Sequence, residues 1–306
     1  MEEYVARNIT NDDCLFCWQV EPSVVIGRNQ LIANEVNVDY CREHGIQVFR
    51  RKSGGGCIYA DKGNVMFSFI TDGGNVGFAF NRYIGMMVLM LRRLGADASA
   101  TGRNDILVGG KKVSGNAFYH LPGRSIVHGT MLYDTDMENM LKSITPTGDK
   151  LESKGVGSVR QRITLLKDHI NAGMEELKAY MKANLCDDRH ALTADDVRKI
   201  EELERETYLS PGFIQGNNPR HALTRMRRID GVGGIEAHID MKGDTIKNIA
   251  LSGDFFTTGD VDKAILDRLR NVRLDKNDIA KALPEELEGV IMNLRKDDFV
   301  SLLTDD

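Results

Sequence analysis

The chain has 306 residues, 42% of them hydrophobic and 28% charged, with a net charge of −5. That supply of apolar side chains is enough for a sizeable core divided over two domains, and the acidic balance argues against a generic nucleic-acid binder, whose phosphate contacts need surplus Lys and Arg. The longest apolar run, Met86 to Leu91, is far short of a bilayer span, and the acidic start Met1-Glu2-Glu3 is no signal peptide, so a cytoplasmic protein without a membrane partner is expected.

In chain order, residues 1–9 read as the end of a helix, and Cys14 to Trp18 as a buried strand. The Cys14-x-x-Cys17 spacing lacks the second Cys pair or spaced His pair that a zinc site needs. The five cysteines, odd in number and scattered, form no disulfide framework. A short strand is expected over 22–27, a helix from Val36 to His44 stopped by Gly45, and a strand from Ile46 to Phe49. That strand leads into Arg50-Arg51-Lys52-Ser53-Gly54-Gly55-Gly56-Cys57-Ile58-Tyr59. Three glycines let backbone N–H groups come close to an anion while Arg and Lys supply countercharge. The competing reading is a Gly-rich turn beside a solvated basic patch.

Ala60 to Asn64 has turn composition and Val65 to Ile70 is strand-like, so the segments on either side of this turn are expected to form a hairpin. Phe80 to Leu94 reads as a helix with Ile84, Val88 and Leu91 on one face and Gly95 at its end. Gly109-Gly110 links two short strands as a tight primed turn. Beyond it, Lys111 and Lys112 read either as solvated edge lysines or, with Asp105 and Ser114-Gly115 nearby, as a phosphate and metal site. The segment fails the Walker spacing, and Gly155-Val-Gly157 and Gly231-Val-Gly233 lack the third glycine of a dinucleotide fingerprint. Ser125 to Tyr133 alternates as a strand with Ile126, His128, Thr130 and Leu132 on one face.

Further on, residues 174–184 and 193–208 read as amphipathic helices, with Thr193 and Asp196 as an N-cap pair. Residues 210–219 have the composition of a linker. Ile235, Ala237, Ile239 and Met241 alternate with polar residues, and Lys242-Gly243-Asp244 turns this strand into Thr245 to Leu251, with His238 expected to be exposed. Val261 to Leu269 and Pro284 to Leu294 are expected to be helices.

Six blocks in order resemble the lipoate-protein ligase A family of the biotin and lipoate ligase superfamily: Arg50 to Gly56, Gly63 to Phe69, Gly102 to Asp105, Lys112 to Ala117, His128 to Thr130, and Lys154 to Arg162. Weaker likenesses to the family's small accessory domain lie at Gly231 to Glu236 and Leu251 to Phe256. The resemblance implies an α/β fold: a catalytic domain with a mixed β-sheet over residues 1–209, a linker at 210–219 and a small α+β domain over 220–306. It implies an ATP-dependent ligase that joins lipoate to AMP with release of pyrophosphate. The lipoyl group then passes to a lysine of a carrier domain, here the lipoyl domains of 2-oxoacid dehydrogenase E2 subunits and the glycine cleavage H protein.

By the same resemblance, Lys112 is the catalytic cation. Arg51, Ser53, Gly54, Gly55, Gly56, Tyr59, Asn64, Asn104, Ser114, Gly115, His128 and Gly129 border lipoyl-AMP, and Lys154 and Arg160 lie on a loop that covers it. Asp105 would hold Mg²⁺. The chain departs from the family pattern at Ala60, where a His is frequent, and at Phe118-Tyr119-His120, where an Arg is frequent. Met1 falls within what is usually the first helix, which implies either a truncated start or a missing edge strand. An octanoyl or lipoyl transferase of the same fold is the alternative, disfavoured because no cysteine lies between Cys57 and Cys186 to accept an acyl group. A non-catalytic lipoyl-binding protein is the third reading.

Overall fold

The computed structural model describes residues 1–9, 12–74, 76–101, 104–144, 162–216 and 223–305. The chain forms two compact units, each assembled from separate stretches: Met1–Val25, Glu35–Phe49 and Ile58–Ile214 make one, and Ile26–Asn34, Arg50–Cys57 and Gln215–Asp306 the other.

The first unit is built on a six-stranded sheet, large as expected but with every described pairing antiparallel instead of mixed. Its strands are β1 (Cys14–Trp18), β5 (Asn64–Asp72), β6 (Ala98–Ala100), β7 (Asp105–Val108), β8 (Lys111–Leu121) and β9 (Arg124–Leu132), in the order β1-β5-β9-β8-β7-β6. The central strands β5 and β9 are buried on both faces along most of their length. At the edge, β1 is half-buried throughout, which corrects the expectation of a buried strand: among the described strands it pairs only with β5 and ends the sheet.

Helix α4 (Val76–Arg93) buries Phe80, Tyr83, Ile84, Met87, Val88, Met90 and Leu91, the i, i+3, i+4 set of one face. Each such side chain is worth roughly 1.5–3 kcal/mol relative to exposure. The helix ends where Gly95 takes φ +93, a left-handed conformation that Gly adopts at no steric cost.

The expected hairpin across residues 60–64 does not form. The turn is there, with the Asp61 side chain accepting from Gly63 N–H at 2.8 Å. The strand before it, β4 (Ile58–Ala60), instead joins β2 (Ser23–Ile26) and β3 (Gln47–Arg50) in a separate three-stranded sheet of order β3-β2-β4. Both edges of β5 are already taken by β1 and β9, so β4 finds no free edge there. Between β2 and β3 lie a short helix α2 (Ile32–Glu35), which the sequence did not announce, and α3 (Val38–Glu43), capped by the Asn37 side chain.

Helix Ala194–Leu203 starts with the expected capping box, Thr193 and Asp196 bonding reciprocally, and continues into a π-helical turn over Glu204–Tyr208. Within the stretch expected to be a linker, Pro211–Gln215 forms a short helix.

The second unit contains a meander of β10 (Leu223–Ile229), β11 (Gly233–Lys242) and β12 (Thr245–Gly253). Ile235, Ala237 and Ile239 point into a core shared with Ile265, Leu269, Ile279 and Phe299. His238 is buried rather than exposed, at 3% accessibility, with Nε2 2.7 Å from the Ser252 hydroxyl. Residues 284–294 are irregular turns, not a helix. Their apolar side chains at 287, 290, 291 and 294 are buried, so a helical period is met by isolated turns, with Ile291 N–H donating to the Leu287 carbonyl at 2.9 Å, and not by a continuous helix. Pro284 has no N–H, Ile291 bridges to Thr257, and Asn293 takes φ +61. Helices flank this stretch at Lys276–Ala282 and Lys296–Thr304. Among the described residues, no helix is long and apolar enough to cross a membrane.

Candidate active site

In the first unit the candidate residues gather on β7, β8 and β9. The Gly109-Gly110 turn, with φ of +55 and +77, closes the β7–β8 hairpin as a primed turn. Asp105 stands opposite Gly115 and Ile106 opposite Ser114, but Leu107 pairs with Lys112, leaving Val113 as a bulge that re-aims its neighbours. Lys112 Nζ reaches to 2.7 Å from Asp105 Oδ1. It does so by folding over Gly115, where a Cβ would lie 3.1 Å from Nζ. The carbonyl of Lys112 accepts from Thr164 N–H at 2.9 Å, which ties this strand to the segment following residue 162.

Asn104 and Asn116 fix the head of β7 through a reciprocal pair. Each side-chain amide donates to the other residue's carbonyl, at 3.0 and 2.9 Å. Ser114 is buried, and its hydroxyl lies 3.3 Å from Asn116 Oδ1. Gly129 faces Asn116 across the β8–β9 ladder, and a Cβ there would come within 1.9 Å of Asn116 Oδ1 and 3.0 Å of the Tyr83 hydroxyl. Only glycine fits that position without moving the amide.

His128 Nδ1 is 2.9 and 3.0 Å from the two carboxylate oxygens of Glu2. Glu2 begins helix α1 (Glu2–Asn8) and also accepts from the Ser68 hydroxyl at 2.5 Å, which in turn accepts from Trp18 Nε1. Burial pushes the Glu2 carboxyl up, yet the charge and hydrogen bond of His128, with the Ser68 bond, outweigh it and hold the group below its ordinary value. The Tyr119 hydroxyl lies 3.4 Å from Glu2 Oε2, and burial together with that negative charge pushes the phenol up. Tyr119 thus occupies, beside His128, the region where the expected pattern carries an arginine. Glu2 was missed by the sequence reading; a carboxylate in a first helical turn otherwise signals only dipole compensation.

Two further candidates are core residues of this unit. Tyr59 is buried opposite Val24, its phenol pushed up by burial and by nearby Asp61. Asn64 is fully buried and accepts from the Thr135 hydroxyl at 2.5 Å. Ala60 is likewise buried.

In the second unit the glycine-rich stretch is a tightly bonded loop. Arg51 curls it: Nε donates to the Ser53 hydroxyl at 2.9 Å, and one terminal nitrogen to the carbonyls of Gly54 and Gly56 at 2.8 and 2.7 Å. Ser53 is buried, and its carbonyl accepts from Arg28 N–H. Gly55 takes φ +85 and donates its N–H to the Phe255 carbonyl at 3.3 Å. A Cβ on Gly54 would sit 2.4 Å from that same carbonyl, and one on Gly55 2.9 Å from the Phe256 ring. Gly27 is equally constrained, since a Cβ would meet the Gly55 carbonyl at 2.0 Å. The glycines therefore serve close backbone packing as well as any approach to a ligand. The contacts of Gly27 and of the Phe255-Phe256 pair with this loop were not legible, because they join stretches far apart in sequence.

Lys154 and Arg160, like Gly102 and Arg103, lie outside the described residues. Among the described residues no group of three metal-ligating side chains occurs. Asp105 Oδ1 is buried and receives no well-directed hydrogen bond, although Lys112 Nζ is close. One such carboxylate fits a Mg²⁺ carried mainly by phosphate oxygens and water, not a protein cage.

Residues 1–186 match the family model described as the lipoyl protein ligase A/B catalytic domain, and residues 218–303 match the bacterial lipoate protein ligase C-terminus. The chain is 32% identical to the lipoate-protein ligase LplJ of Bacillus subtilis, over 99% of this chain and 95% of that relative. It is 35% identical to lipoate–protein ligase 1 of Staphylococcus aureus, over 85% and 82%. Its fold is shared with the solved structure of LipL1 from P. falciparum in complex with lipoate, at 22% identity and a TM-score of 0.71, covering 98% of this chain and 89% of that one. The chain therefore belongs to the lipoate-protein ligase family.

Proposed function

We propose that this protein is an ATP-dependent lipoate-protein ligase, which activates lipoate as lipoyl-AMP with release of pyrophosphate and then transfers the lipoyl group to a lysine of a lipoyl-carrier domain. The observation that carries this reading is the catalytic-domain match over residues 1–186, inside which Lys112 and Asp105 form a cation–carboxylate pair at 2.7 Å. Residues 1–209 carry the catalysis in this reading, and residues 220–306 form an accessory domain.

Lys112 stabilises the negative charge that develops as the lipoate carboxylate attacks the α-phosphate, a task for a fixed cation placed where charge appears. Gly115 allows its side chain to bend, and the Asn104–Asn116 pair holds the strand end from which Asp105 projects. Asp105 is the residue assigned to the Mg²⁺ that accompanies ATP, which would neutralise phosphate charge. Arg51, Ser53 and Gly54 to Gly56 are assigned to acyl-adenylate binding, as are Ser114, His128 and Gly129, with Tyr59 and Asn64 in supporting roles. Lys154 and Arg160 belong to a covering segment that keeps the mixed anhydride from water. The acceptors are the lipoyl domains of 2-oxoacid dehydrogenase E2 subunits and the glycine cleavage H protein, and the reaction takes place in the cytoplasm.

Isotope exchange between pyrophosphate and ATP tests the first half-reaction. Exchange that depends on added lipoate is the expected result; exchange absent with intact protein, or equal without lipoate, would overturn the reading.

A further inference from the structure

Arg50, the first cation of the glycine-rich stretch, differs in placement from its neighbour Arg51. It is buried, with 5% accessibility, and burial lowers the pKa of its guanidinium. One terminal nitrogen donates to the carbonyls of Gly27, Arg28 and Gln30 at 2.9, 2.9 and 2.8 Å. The other donates to the carbonyl of Gln215 at 3.0 Å. These acceptors come from two stretches separated by nearly the whole first unit, and a planar fork of donors can hold both at once.

The loop so gathered is the one on which the glycine-rich stretch rests. Arg28 N–H donates to the Ser53 carbonyl at 2.8 Å, Arg51 N–H to the Ile26 carbonyl at 3.0 Å, and the Asn29 carbonyl accepts from Gly253 N–H at 2.9 Å. Gly27 lies against Gly55, and Gly216 against Arg50 itself, where a Cβ would be 2.8 Å from the guanidinium carbon. The close packing of Gly54 and Gly55 on Phe255 and Phe256 leaves little tolerance for a shift of this loop.

We infer that Arg50 is a positioning residue for acyl-adenylate binding, setting the backbone of Arg51 to Gly56 by clamping the 27–30 loop to Gln215; this rests on the proposed role of that stretch. A lysine at this position keeps the charge but offers a single ammonium, which cannot reach along both directions of the fork. Loss of the clamp lets the glycine-rich loop relax without removing any group proposed to touch the substrate.

The test is lipoate-dependent pyrophosphate exchange by the full chain, comparing the unaltered protein with Arg50→Lys and with Gly216→Ala, which displaces the guanidinium without removing it. Both variants should raise the lipoate KM by about tenfold with kcat changed less than about threefold, at a temperature below their melting midpoints. A purely structural role would lower the amount of folded enzyme and hence the apparent kcat, leaving KM as it was. Exchange by the unaltered protein with unchanged KM in whichever variants fold would overturn this inference alone. No exchange by the unaltered protein would overturn the functional reading and this inference with it.

Discussion

Replacing Lys112 with Ala should separate catalysis from folding, because the two costs differ widely in size. Its Nζ is 2.7 Å from Asp105 Oδ1, with the side chains 37% and 28% exposed. An ion pair that open to water contributes only about 0–1 kcal/mol. The main-chain role of residue 112, its carbonyl bonded to Thr164 N–H and its place opposite Leu107, survives truncation at Cβ. Removing a preorganised group that meets developing charge, by contrast, costs about 10²–10³ in rate, or roughly 2.7–4 kcal/mol. The melting midpoint should therefore move by no more than about 3 °C, while lipoate-dependent pyrophosphate exchange falls by about two to three orders of magnitude. Differential scanning calorimetry and the exchange assay on one preparation give both numbers. Exchange within about threefold of the unaltered protein would refute the assignment of Lys112, and a collapse of the melting midpoint would refute the claim that its role is chemical.

Gly129→Ala should act in the opposite way. The added Cβ meets Asn116 Oδ1 at 1.9 Å, so overpacking and the disturbed amide pair should cost roughly 2–4 kcal/mol of stability in urea unfolding; an unchanged midpoint would show that the amide rotates away freely. Glu2→Gln tests the His128 pair through pH. The folded-state Glu2 carboxyl is held below its ordinary value, so its contribution is present above the unfolded-state value near ~4.3 and is lost as pH falls through the lower folded value. Acid unfolding below about pH 4 should accordingly be shallower in the variant, which should also be less stable than the unaltered protein at neutral pH. Parallel curves for the two proteins would contradict this.

Local patterns in the sequence were read correctly where the structure obeys local rules. The Gly109-Gly110 turn, the amphipathic face of α4 and the Thr193–Asp196 cap each depend on residues within a few positions of one another. The failures depend on distant pairing. The turn at 61–64 gave no sign that β4 and β5 enter different sheets, because strand partners are chosen by free edges elsewhere. Residues 284–294 carry a helical apolar period that turns satisfy equally well. His238 alternates as an outward residue, yet it is buried with the Ser252 hydroxyl 2.7 Å from its Nε2, and on the same strand Glu236 accepts from the Asn34 amide at 3.4 Å.

The candidate site shows the same division. Lys112, Asp105, Asn104, Ser114, Gly115, His128 and Gly129 were legible as motif blocks; the strand register sets all but Asn104 on neighbouring strands, and Asn104, just before β7, is held to Asn116. The roles of Glu2, Gly27 and Arg50 were not legible, Arg50 reading only as one cation of the basic stretch, because their partners lie at His128, Gly55 and Gln215. No spacing rule connects such positions before the fold is known.

The most direct measurement of the central claim is the intact mass of an apo lipoyl domain incubated with this protein, lipoate and ATP, beside a parallel reaction with an octanoyl-carrier thioester and no ATP. The account predicts a gain of one lipoyl group that requires ATP and is lost with Lys112→Ala, and no transfer from the thioester. Efficient transfer from the thioester without ATP, or no mass gain with ATP and lipoate, would contradict it.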